Sequence, residues 1–113
     1  SDKMYEYKAE LVRILDGDTV DAKIDLGFDV WVKKRIRFLG IDATETRTRD
    51  LSEKEAGLEA KRRLEELLEG SEGKFTLKSH GVGKYGRCLG EIFIDEVNIN
   101  NLLIEEGYAR IYK

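Results

Sequence analysis

The sequence of 113 residues contains no proline and only one cysteine and one histidine. A single cysteine, Cys88, cannot form a disulfide within the chain, and we interpret it as a small core residue. A single histidine, His80, gives no support for a histidine-based catalytic triad. Structural zinc sites draw on several cysteines and histidines, so this class of metal site is excluded as well.

Long apolar runs and a surplus of basic residues are also missing. No stretch approaches the roughly 20 apolar residues of a membrane helix, and the N-terminus lacks the pattern of a signal peptide, although a cleaved leader would leave no trace. With 41% hydrophobic and 38% charged residues, we expect one soluble globular domain over residues 1–113, a monomer by default. The net charge of −3 argues against a nonspecific duplex-binding protein, but a hydrolytic enzyme can use a local basic patch.

Alternating apolar and polar residues, separated by turn signals, divide most of the chain into short strands. Ile36 and Phe38 face one side of the third strand, and the arginines beside them face the other. Gly27 permits a hairpin reversal between the second and third strands. The strands are predicted over residues 5–15, 19–26, 28–40, 74–79 and 87–94.

Two further segments carry the signals of helix ends. Ser52 begins a capping box that opens a helix, and Gly70 ends it. Asn98 caps a shorter final helix that stops at Gly107, and an extended tail follows over 108–113. Three strands, a helix, two strands and a helix is the element order of the five-stranded Greek-key barrel called the OB-fold. We therefore predict a mainly β fold with helices (α+β), with the capped helix between strands three and four of the barrel.

Acidic residues flank the predicted strands at two places. Asp16 and Asp18 lie in the turn between the first two strands, while Asp42 and Glu45 follow the third. In a meander the start of the second strand lies beside the end of the third, so Asp18 and Asp42 are expected to converge. Two carboxylates with a loop carbonyl and waters form a hard oxygen site that suits Ca²⁺ or Mg²⁺. Taken alone, an Asp-Gly-Asp turn is more often a solvated loop.

Two arginines complete a possible site for a phosphodiester. Arg37 lies on the polar face of the third strand, and Arg87 ends the glycine-rich stretch 81–87. A guanidinium donates two parallel hydrogen bonds to a phosphate and stays charged at any working pH. Arginines and a divalent ion can stabilise charge on the phosphoryl oxygens, while a carboxylate directs the attacking water. An isolated arginine on a strand is usually a solvated residue, so the combination carries the argument.

Three segments resemble, in order and spacing, the signature blocks of staphylococcal nuclease-like domains. They are ILDGDTV at 14–20, RFLGIDATET at 37–46 and KYGR at 84–87. The capped helix falls where the family has one, and NNLLIEEGYA at 100–109 resembles the family's final helix and glycine. The resemblance covers almost the whole chain and implies an OB-fold barrel with nuclease activity.

The resemblance implies a calcium site. Asp18 and Asp42 match the two carboxylate ligands of Ca²⁺ in the family. Ala43 matches the position that contributes its backbone carbonyl, a role that any side chain permits. Asp16 and Thr19 match residues that orient these ligands.

The resemblance also implies the catalytic and substrate-binding residues. Glu45 matches the carboxylate that activates or orients the attacking water. Arg37 and Arg87 match the two arginines that bind the scissile phosphate. Lys84 and Tyr85 match residues that contact a flanking phosphate of the substrate.

Two departures from the family pattern bear on the site. Thr44 stands where the family usually has a proline, and the loop that aims Glu45 is expected to be less rigid without it. The family's further C-terminal helix and its base-stacking tyrosine have no counterpart after Tyr112. Tyr112 is therefore assigned to substrate binding, where its ring would stack on a base. Tyr108 is the other candidate for this stacking. Both tyrosines could instead pack onto the barrel.

The resulting functional prediction is a Ca²⁺-dependent phosphodiesterase that hydrolyses DNA and RNA, preferring single strands. Water would attack phosphorus, the 5′ oxygen would leave, and the products would carry 3′-phosphates. The alternative is a noncatalytic nucleic-acid- or protein-binding module of the same family, which would have no need for all five ligand and catalytic side chains. A third alternative, an engineered chain in which the fold is kept and activity is incidental, is suggested by the missing prolines.

Overall fold

The structure, a computed structural model, describes residues 5–43, 51–82 and 86–111. Eight strands and two helices occur in these ranges. In chain order they are β1 (Tyr5–Asp16), β2 (Thr19–Asp25), β3 (Trp31–Phe38), β4 (Ile41–Ala43), α1 (Leu51–Gly70), β5 (Lys74–Val82), β6 (Cys88–Ile94), β7 (Val97–Asn98), α2 (Ile99–Glu105) and β8 (Ala109–Ile111).

Five of these strands close into a barrel. β3, β2, β1, β5 and β6 are neighbours in that order, and β3 also pairs with β6. The closing pair is parallel, with Ile36 opposite Cys88, while the other barrel pairs are antiparallel. The predicted fold, a mainly β five-stranded OB-type barrel with a helix between its third and fourth strands, is confirmed.

The core fills the inside of the barrel from one side of each strand. Val20, Ala22 and Ile24 of β2 are buried there, and Leu64 and Leu68 of α1 join the same cluster. Burial of a large apolar side chain contributes about 1.5–3 kcal/mol relative to exposure, which is why alternation predicts the strands well. The opposite face of β3 carries charged residues, and the site described below lies on this face.

The hairpin between β2 and β3 differs most from its predicted boundaries. The third strand was predicted from residue 28, but β3 begins at Trp31 because residues 27–30 form the turn. Phe28 and Asp29 both adopt a left-handed backbone conformation, with φ of 55° and 60°. Left-handed conformations are uncommon for residues other than glycine, so the sequence offered no signal for this longer turn.

Both helices and the tail lie where the sequence predicted them, apart from the start of α1. α1 ends at Gly70 as predicted, but it begins at Leu51, so Ser52 lies inside the helix rather than at its cap. The side chain of Asn98 accepts a hydrogen bond from the backbone N–H of Asn101, as expected of the cap of α2. The tail is extended over β8, which pairs antiparallel with β4. Within the part of the chain that the structure describes, neither helix is long and apolar enough to cross a membrane.

Candidate active site

The first element of the site is the two-residue turn between β1 and β2. Asp18 in this turn is buried, and its Oδ1 accepts a hydrogen bond of 2.8 Å from the hydroxyl of Thr19. The backbone carbonyl of Asp18 accepts a hydrogen bond of 2.8 Å from the N–H of Phe38 at the end of β3. The turn is thereby fixed against the strand that carries Arg37, and the hydroxyl of Thr19 holds the carboxylate of Asp18.

Arg37 lies between two carboxylates. Its Nη1 is 3.3 Å from Oδ2 of Asp18, and its Nη2 is 3.4 Å from Oδ1 of Asp42. Nη1 also donates to the carbonyl of Phe38 at 3.1 Å, and the arginine side chain is 15% exposed. The structure therefore brings together Asp18 and Asp42, which the strand order had predicted to be neighbours.

Asp42 is held at the site by a second, smaller sheet. It lies in β4, where Arg110 of β8 is its partner in the antiparallel register. Its side chain is 48% exposed, in contrast to the buried Asp18. One carboxylate of the pair is thus buried at the turn between β1 and β2, and the other is half-exposed to solvent.

The two carboxylates offer the donor type that Ca²⁺ requires. Ca²⁺ takes six to eight oxygen ligands from carboxylates, backbone carbonyls and waters. Asp18 and Asp42 converge on one guanidinium, and Ala43 follows Asp42 in the same strand with its backbone carbonyl. Among the residues that the structure describes, no group of three or more His, Cys, Asp or Glu side chains could hold a metal. The described side chains therefore do not form a complete metal site, and Asp18 and Asp42 supply two oxygen donors of the type that a hard cation takes.

Arg87 lies on the same outer face as Arg37. It directly precedes β6, whose first residue Cys88 pairs with Ile36 of β3 in the parallel ladder. Since side chains alternate along both strands, Arg87 projects from the outer face beside Arg35, one two-residue step from Arg37. It lines an open groove of about 590 Å³, and the groove-lining residues are Arg13, Asp21, Lys33, Lys34, Arg35, Gly86 and Arg87.

A buried carboxylate between two arginines was not identified from the sequence. Asp21 Oδ2 is 2.9 Å from Nε of Arg13, and Asp21 Oδ1 is 2.9 Å from Nε of Arg35. The hydrogen bond from Arg35 lowers the pKa of Asp21, with Arg13 acting in the same direction against the opposing effect of burial. The alternation of β3 gave the outward direction of Arg35, but only the pairing of three strands shows that Asp21 lies between the two guanidinium groups.

Several predicted site residues cannot be placed. Glu45, Lys84, Tyr85 and Tyr112 lie outside the described residues, so their roles remain predictions. Tyr108 is half-buried and packs against the core, which supports packing as its main role.

The remaining chemically reactive residues have structural partners. Cys88 is half-buried against the core, with its Sγ 3.7 Å from the hydroxyl of Ser79. His80 Nε2 lies 2.7 Å from Oε1 of Glu91. These contacts agree with the interpretation of Cys88 as a core residue and give His80 a structural partner.

Comparison with known proteins gives a consistent result. The family model described as staphylococcal nuclease homologue matches residues 35–113, a region that includes Arg37, Asp42 and Arg87 and begins after Asp18. The chain is 32% identical over 117 residues to micrococcal nuclease of Shigella flexneri, an alignment that covers 96% of this chain and 60% of that protein.

Two endonucleases of Bacillus subtilis (strain 168) are similar at the same level. The SPbeta prophage-derived endonuclease YokF is 32% identical over 104 residues, covering 89% of this chain and 33% of its own length. Endonuclease YncB is 31% identical over 104 residues, an alignment that covers 89% of this chain and 46% of that protein. The chain thus spans 33% to 60% of the length of these three relatives. Because the family model matches more than half of the chain, including three residues of the site, this chain belongs to the staphylococcal nuclease family.

Proposed function

We propose that this chain is a Ca²⁺-dependent nuclease that hydrolyses phosphodiester bonds in DNA and RNA, with a preference for single strands. The observation that carries the proposal is the convergence of Asp18 and Asp42 on Arg37, with Arg87 on the same outer face. The nuclease names of the similar proteins support the same class of reaction. We take the active form to be a monomer.

Asp18, Asp42 and the backbone carbonyl of Ala43 are the proposed protein ligands of Ca²⁺. The bound ion would supply positive charge that polarises a phosphoryl oxygen of the substrate. Asp18 is suited to this role because its turn is fixed by hydrogen bonds to Thr19 and Phe38. A ligand that is already ordered loses little conformational entropy when the ion binds.

Arg37 and Arg87 are the proposed phosphate-binding residues. The contacts of Arg37 with the two carboxylates, at 3.3 and 3.4 Å, are longer than the roughly 2.7–2.9 Å of strong charge-assisted hydrogen bonds. A phosphate would compete with these two carboxylates for the guanidinium. Donors held in this way stabilise the charge that builds on the phosphoryl oxygens as water attacks.

Glu45 is the proposed base. It would accept a proton from the water as the bond from the water oxygen to phosphorus forms. The bond from phosphorus to the 5′ oxygen breaks in the same displacement, and the leaving 5′ oxygen takes up a proton from solvent water, which yields a 3′-phosphate and a 5′-hydroxyl. Lys84 and Tyr85 are assigned to a flanking phosphate, and Tyr112 is assigned to stacking on a base.

The direct test is cleavage of single-stranded DNA with Ca²⁺, with Mg²⁺ and with a chelator. We expect cleavage with Ca²⁺ that the chelator abolishes reversibly. Arg87→Ala and Glu45→Gln should each lower kcat by about 10²–10³, since each removes a group that acts in the transition state. Arg62→Ala, on an exposed part of α1, is the matched control and should keep the activity of the parent protein.

The second candidate is a noncatalytic binding module of the same family, which Thr44 in place of the usual proline favours. A folded protein that binds oligonucleotides but cleaves none under any of the three conditions would support this candidate. Equal activity of the parent protein, Arg87→Ala and Glu45→Gln would contradict the assigned roles.

A further inference from the structure

Every second residue of β3 faces outward, and four of these residues form a line that leads away from the candidate active site. Ile36 and Phe38 are buried in the barrel, so the odd-numbered residues of the strand project from the outer face, and Lys34, which is also exposed, lines the same groove. In order from the site, the odd-numbered residues are Arg37, Arg35, Lys33 and Trp31. We call them the β3 line.

The spacing of the β3 line matches a polynucleotide rather than a small anion. Two residues of a strand span about 6.6 Å, which is close to the separation of successive phosphates in an extended single strand. From Arg37 to Trp31 the line extends over about 20 Å. An oligonucleotide with its scissile phosphate at Arg37 could therefore place further phosphates at Arg35 and Lys33.

The groove beside the β3 line is strongly basic. It is lined by five cationic side chains and one carboxylate, Asp21, whose two oxygens each lie 2.9 Å from an arginine Nε. Arg13 and Arg35 are thereby held in place on the outer face. Arg35 also donates from Nη2 to Oδ2 of Asp21 at 3.4 Å. A guanidinium has five N–H donors, so both arginines keep further donors for a phosphate. Asp21 therefore positions two arginines while little of the positive charge of the groove is lost.

The far end of the β3 line carries an aromatic ring. Trp31 is 45% exposed at the start of β3. Lys33 lines both the basic groove and a second groove of about 400 Å³ that Trp31 also lines, so the surface is continuous between them. A basic track that includes an exposed aromatic ring is the arrangement that binds single strands without regard to sequence, because every base can stack.

We propose that the β3 line is the path of a single-stranded substrate beyond the scissile phosphate. Arg35 and Lys33 bind successive phosphates, and Trp31 stacks on a base. The inference rests on the proposed nuclease function and extends it to a longer substrate. A duplex is a poorer occupant, since a chain with a net charge of −3 and one basic groove does not provide a broad basic face.

Trp31 is the only tryptophan in the chain, so its fluorescence reports directly on the proposed stacking. Titration with dithymidylate and with dodecathymidylate, in a chelator to prevent cleavage, tests the path. We expect dodecathymidylate to quench Trp31 and to bind about tenfold or more tighter than dithymidylate, with affinity falling as salt rises. A duplex of the same length should bind more weakly than the single strand.

Variants separate the path from the catalytic residues. The double variant Lys33→Ala/Lys34→Ala should lower the ratio of kcat/KM for dodecathymidylate to that for dithymidylate by about tenfold. Trp31→Leu should weaken binding of a fluorescein-labelled dodecathymidylate, measured by anisotropy. The matched control is Lys54→Ala/Arg62→Ala, which removes two exposed cations from α1 and should leave both quantities unchanged.

The outcomes distinguish this inference from the proposed function. Quenching that depends on oligonucleotide length, without cleavage under any condition, would support the path and contradict the nuclease assignment. Cleavage with Ca²⁺ but equal affinity for the two lengths would leave the nuclease assignment intact and overturn the path. Emission of Trp31 that changes with protein concentration rather than with oligonucleotide would indicate contact between copies and would also overturn it.

Discussion

At the scale of single residues, Asp21 shows how a charge can be buried at low cost. Its carboxylate lies beneath two guanidinium groups on the outside of the barrel, so its desolvation is offset by ion pairs with Arg13 and Arg35. The same geometry orders the two arginines. The role of Asp21 is therefore to position Arg13 and Arg35.

The ion pairs of Asp21 predict a pH-dependent contribution to stability. The pKa of Asp21 is lowered from its usual value of 3.8, chiefly by the hydrogen bond from Arg35, so the folded protein binds its proton more weakly than the unfolded chain. The contribution is therefore fully present above the unfolded pKa and is lost as pH falls through the lower folded pKa. The difference in unfolding free energy between the parent protein and Asp21→Asn should be constant from about pH 5 to pH 7 and should shrink below about pH 4.

Urea unfolding across this pH range checks the prediction. Asp95→Asn, at an exposed turn, is the matched control and should show a much smaller difference from the parent protein. A difference for Asp21→Asn that grows as the pH falls would contradict the sign derived from the pKa.

Gly90 predicts a steric effect at one position. A Cβ at Gly90 would meet Cδ1 of the buried Leu77 and would lie 3.1 Å from the carbonyl oxygen of Lys78. We expect Gly90→Ala to lower the unfolding free energy by about 1–3 kcal/mol, because the closed barrel leaves little room to relax. Gly70→Ala is the control, since a Cβ there meets nothing within 4 Å, and it should be neutral or slightly stabilising. Equal effects of the two substitutions on urea midpoints would contradict the steric argument.

At the scale of elements, Asn100 joins α2 to the strands that carry the site. The residue is buried in the short helix, and its Nδ2 donates to the carbonyls of Leu39 at 2.9 Å and Gly90 at 3.1 Å. Its Oδ1 accepts from the N–H of Ile92 at 3.2 Å. Leu39 begins the turn between β3 and β4, so this amide connects the final helix to the segment that leads to Asp42.

Asn100→Ala should lower the unfolding free energy by about 1–3 kcal/mol or more, because it leaves buried backbone groups without their partner. We also expect lower cleavage activity at temperatures where the variant is fully folded, since the turn before Asp42 loses its anchor. Asn101→Ala, an exposed neighbour on the same helix, is the matched control. A variant at Asn100 with the stability of the parent protein would show that the amide is dispensable.

At the scale of the whole molecule, the two converging carboxylates predict stabilisation by calcium. An ion that binds only the folded state stabilises it, by about 2.7 kcal/mol at a concentration one hundred times Kd. For a chain of 113 residues this should raise the melting temperature by several degrees. Thermal unfolding with Ca²⁺ and with a chelator measures the shift, which does not depend on catalytic turnover.

The control for calcium binding is a pair of matched substitutions. Asp18→Asn should abolish the rise in melting temperature, because an amide is a weaker ligand than a carboxylate. Asp95→Asn removes an exposed carboxylate that is distant in sequence from Asp18 and Asp42, and it should keep the full rise in melting temperature. A rise of equal size in all three proteins would mean that the ion binds elsewhere.

Local patterns in the sequence predicted most of the fold. Alternation located the five barrel strands, and the cap at Asn98 located α2, because these signals depend on residues close in the chain. The hairpin reversal at Gly27 was predicted, but its extension over Phe28 and Asp29 was not, since left-handed conformations are rare for such residues. The short strand β4 was not predicted, and the predicted extended tail did not reveal its partner, because the pairing of β4 with β8 defines both strands.

The sequence by itself determined the barrel, the acidic and basic residues available for chemistry, and the resemblance that named their roles. Only the tertiary structure decided which of these charges meet. Arg37 contacts Asp18 and Asp42 because β2, β3 and the segment after β3 are neighbours, and Asp21 meets two arginines because three strands pair in one register. Contacts of this kind join residues that are distant in the chain, and strand register, which periodicity leaves open, fixes them.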